Sequence, residues 1–308
     1  MSNTSLVSQS TKVMSTDVTI SAHDNIAHVT LDSSIHEALN FFHKVVARFT
    51  RFDETSELSQ LNKNQGTFFT VSEELFELIT FGIELGKVTD GLFDITIIDL
   101  LEAYGYTSNY DFSRLTSKSL SEEISTLIKH RPSVFDIQFD FSKLAIKLAP
   151  KQRVDLGALG KGFAIRLARN HLLACGIENF LINAGGDIYA HGINQHNNLW
   201  TASLFDPNKS LTSSSYKDKG IVQLKNEALA CSGGWARKVG AFHHLINPNT
   251  GDPIGTNKGQ KVINSTEFNK TIYVKAKDPV IADAFATLCF LTPKIDTELL
   301  KKYSVTIL

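Results

Sequence analysis

One stretch of the sequence, residues 154–187, limits the possible folds more than any other. It starts as a short apolar strand, turns through three glycines placed around Lys161, and continues as a helix. A second strand then ends in Asn-Ala-Gly-Gly-Asp at 183–187. Glycines let a backbone approach a ligand closely, and a helix N-terminus offers N–H groups to anions. The pattern predicts an α/β unit that either binds a phosphate-bearing ligand or only makes two tight turns, and its spacing leaves both interpretations open.

Charge and cysteine content narrow the class of protein. The 308 residues have a formal net charge of −1, so the chain has no basic field to attract nucleic acid. Three cysteines lie far apart, which argues against a disulfide framework and is typical of a reducing compartment. No stretch is long and apolar enough to span a membrane, and the polar first residues lack the apolar core of a secretory signal. We therefore expect a cytoplasmic protein that binds neither nucleic acid nor membranes.

The N-terminal part of the chain is expected to contain an arm, a hairpin and a helix. Residues 1–12 are predicted to form a flexible arm, and 13–308 a single domain. Alternation of apolar and polar residues predicts paired strands at 17–22 and 26–31. A Ser-x-x-Glu capping box predicts a helix over 34–46.

A predicted helix near the C-terminus places an acid and a hydroxyl among alanines. Asp278 is its expected N-cap, with Pro279 at the first helical position. Asp283 and Thr287 are four residues apart and therefore share one helix face. A buried carboxylate needs a cation or several donors, and Mg²⁺ prefers oxygen ligands. The pair predicts either a metal site or an Asp that caps a neighbouring loop beside a Thr bonded to its own helix.

Two other segments also have both a structural and a functional interpretation. Phe52 lies alone in a polar stretch, where it either anchors a surface loop or forms an aromatic wall for a flat ligand. Asp94 follows Gly-Leu-Phe, where it either caps a short helix or contributes to a site.

Together these segments resemble the ApbE-like FAD:protein FMN transferase family. The resemblance covers roughly residues 14–290, and each motif alone would be weak, whereas the ordered set is specific. The matching segments are Met14-Ser15-Thr16, 52–62, Gly91-Leu92-Phe93-Asp94 with Thr96, 155–162, 183–187, Ser232-Gly233, 244–248 with Thr250-Gly251, and 282–287.

The resemblance implies both a fold and a reaction. The fold is α+β, with mixed or antiparallel sheets, packed helices and a T-fold-related core. In the reaction, Mg²⁺ (or Mn²⁺) bridges the pyrophosphate of FAD, and a Thr or Ser hydroxyl of an acceptor flavoprotein attacks. FMN becomes linked through a phosphoester and AMP leaves. A fumarate-reductase-like flavoprotein is the acceptor expected by analogy.

The resemblance also implies roles for individual residues. The metal ligands would be the Ala158 carbonyl, Asp283 and Thr287. His244 would bind FAD together with Ile246 and would act as the base for the acceptor hydroxyl, since imidazole titrates near neutral pH. His244 could instead orient the ligand or support the fold, and its neighbour His243 complicates the assignment. The other implied FAD-binding residues are Met14, Phe52, Leu92, Phe93, Asp94, Asp155 and Lys161.

Three positions depart from the family pattern. Ser15 replaces a glycine, Phe52 replaces a tyrosine, and Asn247 replaces an aspartate; none of these is an implied metal ligand. Two other functions are kept as alternatives, a metal-dependent FAD pyrophosphatase that yields FMN and AMP, and a non-catalytic flavin-binding protein. Family members are often exported lipoproteins, whereas this sequence resembles the cytoplasmic minority because no signal or lipobox cysteine lies near its start.

Overall fold

A seven-stranded antiparallel sheet forms the centre of the molecule. The computed structural model describes residues 6–23, 28–109, 111–113, 119–205, 220–234, 242–257, 261–262, 270–292 and 294–308. The described strands of the whole chain, seven of which form the large sheet, are β1 Val7–Val13, β2 Thr16–Ala22, β3 Phe69–Thr70, β4 Gln138–Asp140, β5 Ala145–Lys147, β6 Phe180–Ala184, β7 Asp187–His191, β8 Trp200–Ser203, β9 Ile221–Leu224, β10 Glu227–Gly233, β11 Thr256–Asn257, β12 Lys261–Val262, β13 Thr271–Ala276 and β14 Thr306–Ile307. The large sheet has the order β1-β2-β6-β7-β10-β13-β14, and each neighbouring pair is antiparallel.

Three helices cover one face of this sheet. The described helices are α1 His28–Phe49, α2 Glu57–Lys63, α3 Glu73–Val88, α4 Ile98–Ala103, α5 Ser119–His130, α6 Gly160–Ala174, α7 Pro279–Leu291 and α8 Thr297–Lys302. Helix α1 packs on β1 and β2, α6 on β6 and β7, and α7 on β10 and β13, while α6 contacts both α1 and α7. None of the described helices is long and apolar enough to cross a membrane.

Helices α6 and α7 meet at their first turns. A Cβ atom on Gly162 would lie 2.4 Å from the Pro279 carbonyl oxygen and 2.7 Å from the Val280 Cα, so only glycine fits between the two backbones. The α7 N-cap is Asp278, as predicted, and its side chain accepts the backbone N–H of Val280. Arg166 of α6 then binds both carboxylate oxygens of Asp278, at 2.7 and 2.9 Å. The N-termini of the two helices are therefore fixed against each other.

The turn between β6 and β7 directs alternate β7 side chains toward the helices. Gly185 and Gly186 both have positive φ, 64° and 98°, which a two-residue hairpin turn of this kind requires. Tyr189 joins the core beneath the helices, and Ile188 packs into a separate apolar cluster on the opposite face. Because side chains alternate along a strand, Asp187 lies on the same side as Tyr189. The alternation brings Asp187 under α6.

The structure corrects the predicted N-terminal arm. Within the range 1–12, residues 7–12 form most of β1 and pair with β2, and residues 1–5 lie outside the described part of the chain. Strand β1 lies at the sheet edge, and its central residues are polar and mostly accessible. A polar edge strand lacks the apolar pattern that marks a core strand, so its sequence resembles that of a loose segment.

The predicted hairpin and helix start are also corrected. The strand over 17–22 is confirmed, but its hairpin partner is β1 and not the segment 26–31. Residues 28–31 belong to α1, and residues 26–27 lie outside the described part of the chain. Helix α1 begins before the Ser34 capping box, and Ser34 is 7% exposed. The box therefore lies inside the helix, where packing of the helix has overridden the local signal.

Candidate functional site

A cleft of about 420 Å³ opens where the first turn of α6 faces the loops before α2 and after α3. It brings together segments that are far apart in the sequence. The predicted site residues that line it are Met14, Phe52, Leu92, Phe93, Asp94, Asp155, Ala158, Lys161, His244, Ile246 and Thr287. Asp283 does not line the cleft and lies beneath it, 4% exposed.

One wall of the cleft is the backbone turn that leads into α6. The Asp155 N–H donates to the Ile95 carbonyl at 2.8 Å, and the Gly157 N–H donates back to the Asp155 carboxylate at 2.8 Å. A Cβ atom on Gly157 would lie 2.7 Å from that carboxylate, so glycine allows the turn to fold over its own aspartate. The turn places Ala158 and Gly160 on the cleft surface.

Three charged side chains, Lys161, Asp187 and Asp283, lie at and beneath the floor of the cleft, and we call them the buried triad. Of the three, only Lys161 lines the cleft. The Lys161 Nζ lies 2.6 Å from Asp187 Oδ2 and 3.2 Å from Asp283 Oδ1. The two carboxylate side chains are only 4% and 6% exposed. The Cys231 N–H donates to the other Asp187 oxygen at 2.9 Å, and the Gly162 N–H donates to the other Asp283 oxygen at 2.9 Å. Asp283 thus occupies one of the N–H groups that the α6 N-terminus could have offered to a ligand.

The buried triad is not electrically neutral. Burial alone would lower the pKa of Lys161, but the charges of Asp187 and Asp283 raise it, so the lysine is an ammonium ion. Burial raises the pKa of Asp283, and the Lys161 ammonium opposes that rise only in part. With both carboxylates ionised, one ammonium, whose side chain is 25% exposed, faces two negative charges that are almost fully buried. An uncompensated buried charge is costly, so the triad favours the approach of another cation.

The donor set at this floor suits a hard cation. The Thr287 hydroxyl lies on the cleft lining, 3.4 Å from the Ser232 hydroxyl, and Asp283 is one helical turn away on the same face of α7. Carboxylate, hydroxyl and carbonyl oxygens are the ligands that Mg²⁺ prefers. The described residues contain no group of three or more His, Cys, Asp and Glu side chains that could hold a metal, so any such site would also need backbone or hydroxyl oxygens.

A second set of charges lies at the mouth of the cleft, where Arg51, Glu102 and Asp155 form what we call the mouth cluster. The Arg51 side chain is 8% exposed, and it reaches Glu102 at 3.2 Å and Asp155 at 3.0 Å. Its guanidinium carbon lies 4.2 Å from the centre of the Phe52 ring. Phe52 itself is 48% exposed and lines the cleft, which favours the aromatic-wall interpretation over a phenylalanine buried in the core.

Asp94 is held by protein groups. The backbone N–H and the hydroxyl of Thr96 donate to Oδ1 at 2.7 and 2.6 Å, and Arg131 donates to Oδ2 at 2.8 Å. Arg131 also donates to the Pro248 carbonyl at 3.1 Å, which ties Asp94 to the opposite wall. These bonds support the structural interpretation of Asp94, and a direct role in ligand binding stays a prediction.

The two adjacent histidines have different environments. His243 is fully buried; its Nδ1 accepts the Leu245 N–H at 3.1 Å, and its Nε2 lies 2.9 Å from the Ile254 carbonyl oxygen. Both contacts together require a neutral ring with the proton on Nε2. His244 instead lines the cleft, with its ring edge-to-face to Tyr106 at a centroid distance of 6.2 Å. Of the two, only His244 can reach a molecule in the cleft.

Comparisons with known proteins place this arrangement in a family. Residues 14–307 match the model of the ApbE family. The chain belongs to the ApbE family. The FAD:protein FMN transferase of Haemophilus influenzae is 25% identical over 258 residues, which cover 82% of this chain and 73% of that protein. The FAD:protein FMN transferase of Vibrio cholerae is 25% identical over 249 residues, which cover 79% of this chain and 69% of that protein.

Solved ApbE structures have the same fold. The crystal structure of the ApbE protein from Thermotoga maritima superposes with a TM-score of 0.81 at 25% identity, covering 98% of this chain and 94% of that one. The flavin transferase ApbE from Vibrio cholerae gives a TM-score of 0.78 at 21% identity, covering 99% and 93%. The predicted family, the α+β fold and the prediction that the chain is an enzyme are confirmed.

The structure gives a local account of two departures from the ApbE pattern. Met14 and Ser15 form the β1–β2 turn with φ of 55° and 60°, and both line the cleft. This backbone region favours the glycine that Ser15 replaces. Asn247 accepts the Asn249 N–H at 2.9 Å through its side-chain oxygen, so an asparagine can make the turn bond that an aspartate would make.

Sequence reasoning did not identify two residues that organise the site. Arg51 precedes Phe52 in a polar stretch, and its only signal was an arginine beside a lone aromatic residue. Asp187 was recognised as the end of the 183–187 motif but was not assigned to the site. Its position in the sequence could have identified it: the aspartate directly follows two glycines that make a tight turn, and such a turn fixes where the next side chain points.

Proposed function

We propose that this chain transfers the FMN part of FAD to a Thr or Ser hydroxyl of an acceptor flavoprotein and releases AMP. The observation that carries the proposal is that one cleft is lined by His244, by the turn at 155–160 and by Lys161 of the buried triad. The names of the ApbE relatives support the transfer of FMN from FAD to a protein. Phosphoryl transfer depends mainly on positioning and charge neutralisation, which a rigid charged floor can provide.

We propose that Asp283, Thr287 and the Ala158 carbonyl hold the divalent cation, Mg²⁺ or Mn²⁺. The excess negative charge of the buried triad and the oxygen donors at the floor support this assignment. A bound ion would supply charge neutralisation for the pyrophosphate of FAD. One Asp283 oxygen accepts from the Lys161 ammonium and the other accepts the Gly162 N–H, so a cation would share the first with the lysine.

Other residues that line the cleft would bind the FAD molecule and accept the proton of the acceptor hydroxyl. Phe52 offers an exposed ring for stacking, and Met14, Leu92, Phe93 and Ile246 offer apolar walls for the flavin or the adenine. His244 would accept the proton of the acceptor hydroxyl as its oxygen forms a bond to the FMN phosphorus. The phosphorus–oxygen bond to AMP then breaks, and AMP leaves with the electron pair. Imidazole is the side chain that proteins use most often for such a proton transfer.

Incubation with FAD, Mg²⁺ and a candidate acceptor tests the proposal against its two alternatives. We expect the acceptor to gain the mass of one FMN, with AMP released in equal amount. Equal release of AMP and free FMN with and without acceptor, and no mass gain, would identify a pyrophosphatase. FAD that stays bound and intact after Mg²⁺ is added would identify a flavin-binding protein. Phosphoryl transfer to water and to a hydroxyl require the same floor, so the acceptor is the discriminating reagent.

The acceptor is proposed by class alone. A flavoprotein related to fumarate reductase, with an accessible Thr or Ser, is the first candidate to co-express with this chain. A mass gain of one FMN on that protein would support the assignment. Replacement of the modified Thr or Ser by Ala should abolish the gain, and persistence of the gain would reject a hydroxyl acceptor at that position.

A further inference from the structure

Asp187 is the member of the buried triad that no assigned role explains. It follows the Gly185–Gly186 turn as the first residue of β7 and is 3% exposed. The Cys231 N–H fixes its Oδ1 at 2.9 Å. Within the described part of the chain, the Lys161 ammonium is the only partner that faces its Oδ2. Both oxygens of Asp187 are therefore engaged, one by a backbone N–H and the other by the lysine.

The Lys161 ammonium lies closer to one carboxylate than to the other. Its Nζ is 2.6 Å from Asp187 and 3.2 Å from Asp283. We propose that Asp187 is a positioning residue that draws the Lys161 ammonium toward β7, so that the Asp283 carboxylate stays available to a divalent cation. The inference rests on the proposed metal role of Asp283.

Charge balance explains why this arrangement matters. In the metal-free site, one ammonium and two carboxylates leave a net charge of −1, which favours a cation. Without Asp187 the remaining pair is neutral, and Asp283 is the only acidic partner left to Lys161 among the described residues. An ammonium that pairs fully with Asp283 competes with a metal for the same oxygen, because both are cations that seek it. Asp187 thus keeps a lysine and a metal compatible within one site.

The test measures Mn²⁺ binding to the purified chain without FAD or acceptor, by the electron paramagnetic resonance signal of free Mn²⁺. We expect Asp187→Asn to weaken Mn²⁺ binding about 10–100-fold, the range typical when a residue that supports a metal ligand is lost. Adding Lys161→Met to that variant should restore most of the affinity, because it removes the competing ammonium and returns the net charge to −1. Asp99→Asn, which alters an aspartate paired with Arg153 outside the triad, should bind Mn²⁺ like the unchanged chain.

Each outcome decides the question. Unchanged binding by Asp187→Asn would overturn this inference and leave the proposed metal site intact. A loss that Lys161→Met does not restore would also overturn it, since Asp187 would then be a metal ligand or a purely structural residue. Absence of Mn²⁺ binding by the unchanged chain would overturn this inference and the metal assignment together. If Asp187→Asn does not fold, Lys161→Met alone must bind Mn²⁺ more tightly than the unchanged chain, and weaker or equal binding would reject the proposal.

Discussion

The buried triad and the mouth cluster contain the same groups in different surroundings. Each places one cation between two carboxylates: Lys161 between Asp187 and Asp283, and Arg51 between Glu102 and Asp155. The carboxylate side chains are 4% and 6% exposed in the triad, but 32% and 23% exposed in the mouth cluster.

The difference in exposure changes what the excess negative charge does. Water and a second arginine, Arg153, which binds Glu102 at 2.7 Å, compensate the mouth cluster. The triad lacks such compensation among the described residues, so its charge is available to attract a metal. Burial of the carboxylates, more than the kinds of charged residues present, therefore separates a structural charge cluster from one suited to bind a cation. Five predictions probe this contrast and the cleft around it, from the largest expected effect to the smallest.

The largest effect is expected when the triad loses its metal ligand. Asp283→Ala should abolish FMN transfer, because it removes the carboxylate proposed to hold the cation. The change leaves Lys161 paired with Asp187, so the chain should still fold, as circular dichroism would show. The rate is read from the mass gain of an acceptor protein. Mg²⁺-dependent transfer at the unchanged rate would reject Asp283 as a ligand.

The next effect concerns a residue that belongs to neither cluster. His244→Ala should slow transfer about 10²–10⁴-fold, the usual contribution of a general base, with FAD affinity nearly unchanged. His243→Ala is the matched control: it should destabilise the fold, since it removes a buried ring that makes two bonds to the backbone. Stopped-flow kinetics measures the transfer rate of each variant, and titration with FAD measures its affinity for FAD. A large loss of FAD affinity in His244→Ala would instead indicate a ligand-orienting histidine.

Removing the cation from each cluster compares the two directly. Lys161→Met should lower the free energy of unfolding of the metal-free chain by about 3–5 kcal/mol, because two buried carboxylates lose their partner. Arg51→Met should cost about 1–3 kcal/mol, since its carboxylates are partly hydrated. Urea denaturation measures both. Equal costs would show that burial does not distinguish the clusters.

The cost of Lys161→Met should also depend on pH. Burial raises the pKa of Asp283 above its ordinary value of 3.8, and the Lys161 ammonium is the main charge that opposes this rise. A folded-state pKa above the unfolded one favours folding below the unfolded pKa, and this contribution is lost as pH rises through the folded pKa. The variant should therefore approach the unchanged chain in stability as the pH is lowered. A difference that is constant with pH would contradict this account.

The smallest effect is expected at the edge of the cleft. Ser15→Gly should stabilise the chain by about 0.5–1 kcal/mol, because relief of the left-handed backbone, worth about 1–2 kcal/mol, exceeds the entropy that glycine loses on folding. Thr16→Gly, at the first residue of β2, is the control and should destabilise. Thermal unfolding measures both, and a destabilised Ser15→Gly would show that the serine side chain makes a compensating contact.

Local signals predicted the elements that position the floor of the cleft. The Asp278 cap with Pro279, the helix after the glycine turn and the strand before 184–187 all follow from short-range chemistry, and each is present. Strand β1 was not predictable in this way, because its central residues are polar and its turn uses Met14 and Ser15 where a glycine is expected.

The sequence predicted which residues gather around the cleft, but it did not predict which of them form ion pairs with each other. The ordered motifs brought together the residues that line the cleft, whereas their ion pairs depend on the fold. Lys161 and Asp187 are brought into contact by the crossing of α6 over β7, and Arg51 reaches Asp155 only because two loops converge. Local sequence patterns do not encode such contacts, since each partner satisfies its own short-range pattern independently.

The glycine contact between α6 and α7 has a consequence for how a ligand is received. At Gly162 the two helices touch through backbone atoms, so no side chain between them can change rotamer and let one helix slide past the other. The spacing between Lys161 and Asp283 is therefore set when the chain folds, and little reorganisation is left for the moment of binding. The floor should act as a rigid template, and any adaptation to different acceptors should fall to the more exposed side chains at the mouth.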